Sequence, residues 1–161
     1  MAAAAGAGAT GIVTPRRLDS DTVLRRLAEI DRLLTDLRGV GAVSAEQLEA
    51  DRLLRHGVEG MLSAVVDLAV GVNSHVSGAA GVPFPTDYQS SFAAAADAGA
   101  LPKELAATLA PSAGLRNAIV HTYLDIDLRR VAEAIPTALR DYGAYVKAVA
   151  AWLRDRVDDE T

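Results

Sequence analysis

Apolar residues recur at steps of three and four along most of this chain, and this spacing restricts the fold to packed helices. The first such stripe contains Val23, Leu24, Leu27, Ile30, Leu34 and Leu37. On an α-helix these positions lie on one face, whereas a half-buried strand requires strict alternation. The stripe predicts a first helix from about residue 19 to Arg38, which Gly39 and Gly41 close.

The centre of the chain predicts one long, buried helix. Ser44 and Gln47 have the spacing of a capping box, in which each side chain caps the other residue's backbone N–H. An apolar series continues from there to about Ser77, and its second half is apolar on nearly every side. Asp67 lies within this series and needs a partner, either in the core or in an arginine such as Arg116. We assign Asp67 a structural, supporting role.

Prolines and capping signals divide the next segment into short elements. The prolines in 83–85 predict an extended connection. A second capping-box pattern at 86–89 predicts a short helix that ends near Ala98, before a glycine. Pro102 suits a first helical turn and predicts another helix over about Lys103 to Leu109.

A last helix is predicted from a cap at Asp127 to about Arg156. Pro136 lies inside its pattern and should kink the helix or split it in two. Residues 1–17, which begin with an Ala/Gly-rich stretch, are predicted to be a disordered tail. Residues 18–157 are predicted to form a single all-α domain, an up-and-down helical bundle.

Composition narrows the class of protein further. Aromatic residues make up only 4% of the 161 residues, and cysteine is absent, which excludes disulfides and thiolate chemistry. The formal net charge of −5 argues against a generic nucleic-acid coat protein but allows a small, focused phosphate site. No apolar run is long enough to span a membrane and no signal peptide is evident, so we expect a cytoplasmic protein without membrane partners.

The histidines give no sign of a metal site. His56 and His75 are interpreted as partly buried helix residues, and His121 stands apart from them. No His-x-x-x-His or Glu-x-x-His pair occurs, so the sequence does not support a metal site within one helix. No glycine-rich phosphate loop follows a strand. We therefore predict neither a metal nor another cofactor.

One stretch, 116–123, concentrates polar chemistry in a largely apolar chain. It contains Arg116, Asn117, His121 and Tyr123, which project from one broad side of a helix or of a helix and its terminal turn. A helix side that only packs would have Leu or Val at such positions. Arg116 and His121 could also form a surface or capping cluster on an ordinary helix, and spacing alone favours that interpretation.

These residue types are the parts that RNA cleavage without a metal ion requires. His121 can accept or donate a proton near neutral pH. Arg116 offers a permanent, forked cation for a phosphate, and Asn117 can orient the histidine or hold a phosphate oxygen. A base must deprotonate the 2′-hydroxyl while an acid protonates the leaving 5′-oxygen. Since one histidine suits both roles poorly, two copies that face each other across a dimer axis would supply the pair.

The motif and its surroundings resemble a known family. Arg116-Asn117-x-x-x-His121-x-Tyr123 is similar to the Arg-x4-His-x-Tyr signature of the HepT toxins, a branch of the HEPN (higher eukaryotes and prokaryotes nucleotide-binding) superfamily. Flanking matches extend over about 20–155 and include Gly114-Leu115, Leu101-Pro102 and the Pro-x-x-Tyr-x-x-x-Phe segment Pro85, Tyr88, Phe92. At 71–75 the chain departs from the family's Asp-Ile-Ala-Asn-His run, and only His75 and the acidic Asp67 are kept in this part of the central helix.

The resemblance implies a specific activity and specific partners. It implies a HEPN-type bundle, a homodimer with the motifs at its interface, and a metal-independent endoribonuclease in which Arg116 and His121 are catalytic. It also implies an MntA-like nucleotidyltransferase antitoxin that transfers AMP onto Tyr123 and so inhibits the toxin. Two alternatives remain: a non-catalytic module that binds a nucleotide or RNA in the same pocket, and a helical interaction protein without a site.

Overall fold

The computed structural model describes residues 14–122 and 124–159 and contains seven helices. These are α1 (Ser20–Val40), α2 (Ala45–Ala50), α3 (Arg52–Ala79), α4 (Tyr88–Asp97), α5 (Lys103–Leu109), α6 (Pro111–His121) and α7 (Leu128–Asp159). No strand occurs in these two ranges. The predicted all-α bundle is confirmed.

The three long helices form the core of the bundle. α3 packs against α1, α4 and α6, and α1 also lies along α7. The apolar stripe of α1 is buried as the spacing predicted, with Val23 and Ile30 fully enclosed. The second half of α3 contributes Val65, Val72 and Val76 to the same core. The shorter helices α4 and α6 pack directly on α3, and α5 packs on α4, α6 and α7.

The single long central helix predicted from Ser44 onward is wrong, because the chain breaks at Asp51. The capping box between Ser44 and Gln47 is present and starts α2. Asp51 has φ −117° and ψ 95°, outside the helical region, and its carboxylate accepts a hydrogen bond from the Leu54 backbone N–H at 3.1 Å. An aspartate that caps the following turn competes with helix continuation, so α3 begins anew at Arg52.

Two further boundaries differ from the sequence prediction. The cap of α4 is Asp87, one residue after the expected Thr86, and it accepts from the Ser90 backbone N–H at 2.7 Å. This hydrogen bond holds the pKa of the Asp87 carboxyl below its ordinary value. Pro136 does not split the last helix, since α7 continues through it. Pro136 is exposed, so water can hydrate the carbonyl that loses its helical donor.

The predicted N-terminal tail lies mostly outside the described residues. Of its described part, Arg16 donates its backbone N–H to the Gly78 carbonyl at 2.9 Å, and its guanidinium stacks 4.6 Å from the centre of the Phe84 ring. Within 14–122 and 124–159, no helix combines the length and apolar character needed to cross a membrane.

A buried polar chain ties α7, α3 and α4 together. The Tyr145 hydroxyl donates to Asn73 Oδ1 at 2.7 Å, and Asn73 Nδ2 donates to Ser91 Oγ at 3.1 Å. All three side chains are buried, and burial raises the pKa of Tyr145, so its hydroxyl stays protonated as a donor. Because these groups satisfy one another, removing one leaves another unpaired in the core.

We expect Tyr145→Phe to lower the free energy of unfolding by about 1–3 kcal/mol, because Asn73 Oδ1 loses its donor away from water. Tyr142→Phe is the matched control, since the Tyr142 hydroxyl contacts Ser112, which keeps its own hydrogen bond to Leu109. Tyr142→Phe should lower the free energy of unfolding by only about 0.5–1.5 kcal/mol. Urea denaturation of both variants measures the difference, and equal costs would contradict this role for Asn73.

Candidate functional site

Helix α6 positions three of the four predicted site residues. It starts at Pro111 directly after α5 and packs on α3, α4 and α5. Arg116 lies half-buried in its middle, while Asn117 and His121 are exposed and one turn apart. Tyr123, the fourth residue, lies outside the described residues.

Arg116 is held by two side chains from other helices. Its Nε donates to Asp67 Oδ1 at 2.8 Å and its Nη2 lies 3.4 Å from Asp67 Oδ2, a paired contact across 49 positions of sequence. The guanidinium carbon lies 4.9 Å from the centre of the Tyr88 ring, at cation–π distance. The contact of Asp67 with Arg116 confirms one of the two expected partners.

The expected burial of Asp67 is wrong. Its side chain is 42% exposed, whereas that of Arg116 is only 18% exposed. Asp67 lies on the outer side of α3, where water solvates one side of its carboxylate. The apolar residues of α3 face the core on the opposite side of the helix. The pair is therefore a half-exposed contact that orients Arg116 rather than a core interaction.

The remaining donors of Arg116 are available to an anion. Asp67 occupies Nε and one hydrogen of Nη2, and Tyr88 covers a face of the guanidinium. In the described part of the chain no hydrogen bond is made by Nη1. A planar guanidinium whose orientation is fixed in this way can present two parallel N–H groups to a phosphate.

His121 occupies the last turn of α6. The next residue, Thr122, caps the helix with its backbone N–H on the Ala118 carbonyl at 2.9 Å, and its hydroxyl donates to the same carbonyl at 2.7 Å. Within 14–122 and 124–159 the His121 side chain has no hydrogen-bond or ion-pair partner. The imidazole is therefore accessible for proton transfer to or from a substrate.

An apolar surface, here called the α3/α6 face, lies where the end of α6 meets the first turns of α3, and it includes Val120, the residue before His121. A shallow groove lies between α3 and α6 and includes His56, Gly60 and Val120. Leu53 is 87% exposed one turn before His56, and Leu124 is 83% exposed shortly after His121. His56 is exposed, not partly buried as expected. Large exposed apolar side chains beside a groove indicate a surface that another molecule covers.

Comparison with known proteins places this arrangement in a family. A family model described as "Ribonuclease HepT-like" matches residues 23–149. The chain is also 32% identical over 130 residues to the tRNA nuclease HepT of Aphanizomenon flos-aquae (strain 2012/KM1/D3), a match that covers 80% of this chain and 87% of that protein. The chain belongs to the HepT-like family.

Solved structures show that this HepT-like chain has the HEPN fold. The tri-AMPylated HEPN toxin of Shewanella oneidensis, solved in complex with an MNT antitoxin, superposes with a TM-score of 0.73 at 22% identity over 81% of this chain and 98% of that one. YutE of Bacillus subtilis, a cytosolic protein of unknown function, gives a TM-score of 0.70 at 15% identity over 86% and 93%.

Two features of the HepT-like site were not predicted from the sequence: the position of the Tyr88 ring and a cavity beside Arg116. Tyr88 matched the family pattern, but nothing in the sequence placed its ring under Arg116. A cavity beside Arg116 includes Ser112, Asp141 and Tyr142 in its wall, and none of these residues had a motif. The available sequence signal was Asp141, a charged residue directly before Tyr142 in the apolar pattern of α7. Packing alone does not require a carboxylate there, and the structure buries both side chains.

The described residues of the HepT-like chain offer no candidate metal centre. In 14–122 and 124–159, no three histidine or carboxylate side chains converge closely enough to hold a metal ion. His75 is half-buried on α3, near Asp19 at the start of α1, and does not take part in the site.

Proposed function

We propose that this HepT-like chain is the toxin of a toxin–antitoxin pair and a metal-independent endoribonuclease, with Arg116 and His121 as its catalytic residues. The observation that supports this most directly is the geometry of α6. It presents an arginine fixed by Asp67 and Tyr88, and an accessible histidine five residues later. The nuclease name of the relative from Aphanizomenon supports the same activity.

The reaction is an internal displacement at phosphorus. A neutral imidazole accepts the proton of the 2′-hydroxyl, and the 2′-oxygen forms a bond to the adjacent phosphorus. The bond from phosphorus to the 5′-oxygen breaks, and an imidazolium gives that oxygen a proton. The products are a 2′,3′-cyclic phosphate and a 5′-hydroxyl end. Arg116 stabilises the charge that develops on the phosphate oxygens, and Asn117 supports the substrate or His121.

The two proton transfers favour a homodimer. One histidine cannot be base and acid at the same moment, whereas two copies of His121 across a two-fold axis can divide these roles. The α3/α6 face is suited to such an axis, because Val120 beside His121, Leu53 at the start of α3 and Leu124 after α6 all expose apolar side chains. Association would bury these side chains and bring the two histidines toward each other.

The antitoxin is inferred from the HEPN toxin of Shewanella, which was solved AMPylated and bound to an MNT antitoxin. We infer that a nucleotidyltransferase of this kind modifies Tyr123. The tyrosine oxygen would attack the α-phosphorus of ATP, pyrophosphate would leave, and the phenolic proton would pass to solvent. The adduct would place a phosphate two residues from His121 and compete with RNA for Arg116.

Incubation of the purified protein with RNA in the presence of EDTA tests the activity. We expect fragments that end in 2′,3′-cyclic phosphate, detected by mass spectrometry, and no loss of rate when EDTA is added. Cleavage that requires an added divalent ion would contradict metal independence. RNA binding without cleavage under all conditions would instead support a non-catalytic binding module.

Co-expression with a partner nucleotidyltransferase tests the modification. The intact mass of the wild-type protein should rise by one or more AMP units, and the mass of Tyr123→Phe should stay at its unmodified value. Tyr88→Phe is the control, because it removes the hydroxyl of the tyrosine that stacks on Arg116 and should be modified like the wild type. A wild-type mass that never changes would contradict the assignment of Tyr123.

A further inference from the structure

A cavity lies beside Arg116, between α6 and α7. α6 packs on α3, α4 and α5, and the wall that α7 contributes consists largely of small residues, Ala134, Thr137 and Ala138. The cavity has a volume of about 180 Å³. Protein interiors are close-packed and a void of this size lowers stability, so its presence next to the proposed phosphate site indicates a ligand.

The cavity wall has no hydroxyl donor to spare. Thr108, Thr137 and Ser112 each donate their hydroxyl hydrogen to a backbone carbonyl three or four residues earlier, at 2.9, 3.2 and 2.6 Å. The Tyr142 hydroxyl lies 2.6 Å from Ser112 Oγ and is its donor, because the serine hydrogen is already committed. A ligand therefore meets apolar walls and hydrogen-bond acceptors.

Two charged groups complete the wall, Arg116 and Asp141. The Asp141 side chain is 10% exposed, and the neighbouring Arg140 contacts both of its oxygens from the solvent side at 2.9 and 3.4 Å. Each carboxylate oxygen has a further lone pair and can only accept hydrogen bonds. A fitting ligand has an apolar body, N–H donors at one edge and an anionic group for Arg116. A nucleotide has all three.

We propose that this cavity receives the base of the nucleotide whose phosphate Arg116 holds, and that Asp141 selects bases with an exocyclic amino group. The proposal rests on the proposed function, because it uses the same phosphate site. Adenine, cytosine and guanine carry an amino donor that a carboxylate can accept. Uracil has no amino group, and its single N3–H donor lies between two carbonyl oxygens, which a carboxylate repels.

Calorimetric titration of the full chain with AMP, GMP, CMP and UMP tests the base preference. We expect at least one of the three amino-bearing nucleotides to bind about tenfold or more tighter than UMP. Asp141→Asn should reduce this ratio severalfold, because the amide can also donate a hydrogen bond to a carbonyl. Equal affinities for all four nucleotides, or no binding of any of them, would overturn the proposal.

A cavity-filling pair tests the location. Ala138→Leu places three more carbon atoms in the cavity and should weaken nucleotide binding at least tenfold. Ala144→Leu adds the same atoms at an exposed position of the same helix and should bind like the wild type. Should Ala138→Leu fail to fold in a thermal melt, Ala134→Leu at the partly exposed part of the wall replaces it. Unchanged binding in the filled variant would overturn the assignment.

RNA cleavage separates the two proposals. If the wild type cleaves RNA but its cut sites show no base preference that Asp141→Asn or Ala138→Leu alters, the base site is wrong and the ribonuclease stands. If the nucleotides bind with the expected preference and Ala138→Leu abolishes it, yet RNA is never cut, the base site stands and the ribonuclease is wrong.

Discussion

Arg116→Ala should lower kcat/KM for RNA cleavage by about 10²–10³-fold, the loss found when one preorganised donor to a developing oxyanion is removed. The reason is geometric as well as electrostatic. Asp67 and Tyr88 hold the guanidinium before substrate arrives, so little reorganisation is needed in the transition state. Arg116→Lys should recover only part of the rate, because an ammonium does not reproduce the fork.

Variants of the two supporting residues isolate this preorganisation. Tyr88→Phe keeps the aromatic face under the guanidinium and should cleave at nearly the wild-type rate, whereas Tyr88→Leu loses the face and should be about threefold to tenfold slower. Asp67→Asn keeps an oxygen for Arg116 Nε but removes the negative charge, and its effect should fall mainly on kcat. Rate assays at saturating and limiting RNA separate kcat from KM. Equal rates for Tyr88→Phe and Tyr88→Leu would contradict a role for the ring.

The placement of Asn117 and His121 could be predicted from the sequence, because both residues lie within one helix. Asn117 and His121 are separated by one helical turn, so a helical pattern alone places them on neighbouring surface. The contact between Asp67 and Arg116 was one of two open possibilities, since a carboxylate in an apolar series needs a partner. The solvent exposure of Asp67 could not be predicted from the sequence, because it depends on how α6 lies across α3.

Features that depend on packing between distant helices could not be predicted. The break at Asp51 comes from a capping side chain that outweighs a continuous apolar pattern. The cavity arises because α7 presents Ala134 and Ala138 where α6 leaves space, and small residues in a helix ordinarily signal close packing rather than a gap. The stacking of Tyr88 requires the start of α4 to lie beside α6, which a cap at Asp87 makes possible.

His121→Ala should lower the rate of RNA cleavage by about 10²–10⁴-fold, the usual contribution of a positioned acid or base. A mixing experiment asks whether the two copies share one site. If acid and base come from different chains, each mixed dimer of wild type and His121→Ala lacks one of them. A tenfold excess of the variant should then lower the activity per wild-type chain by about tenfold, because nearly every wild-type chain is in a mixed dimer.

A variant that cannot associate is the matched control. Leu53→Asp places a charge on the α3/α6 face, where Leu53 is 87% exposed, so the monomer should fold while dimer formation is weakened. Added in the same excess, His121→Ala combined with Leu53→Asp should not inhibit the wild type. Activity proportional to the amount of wild-type chain in both mixtures would mean that each chain has a complete site, and the division of roles between two histidines would be wrong. Inhibition by both variants alike would instead place the dimer axis away from the α3/α6 face.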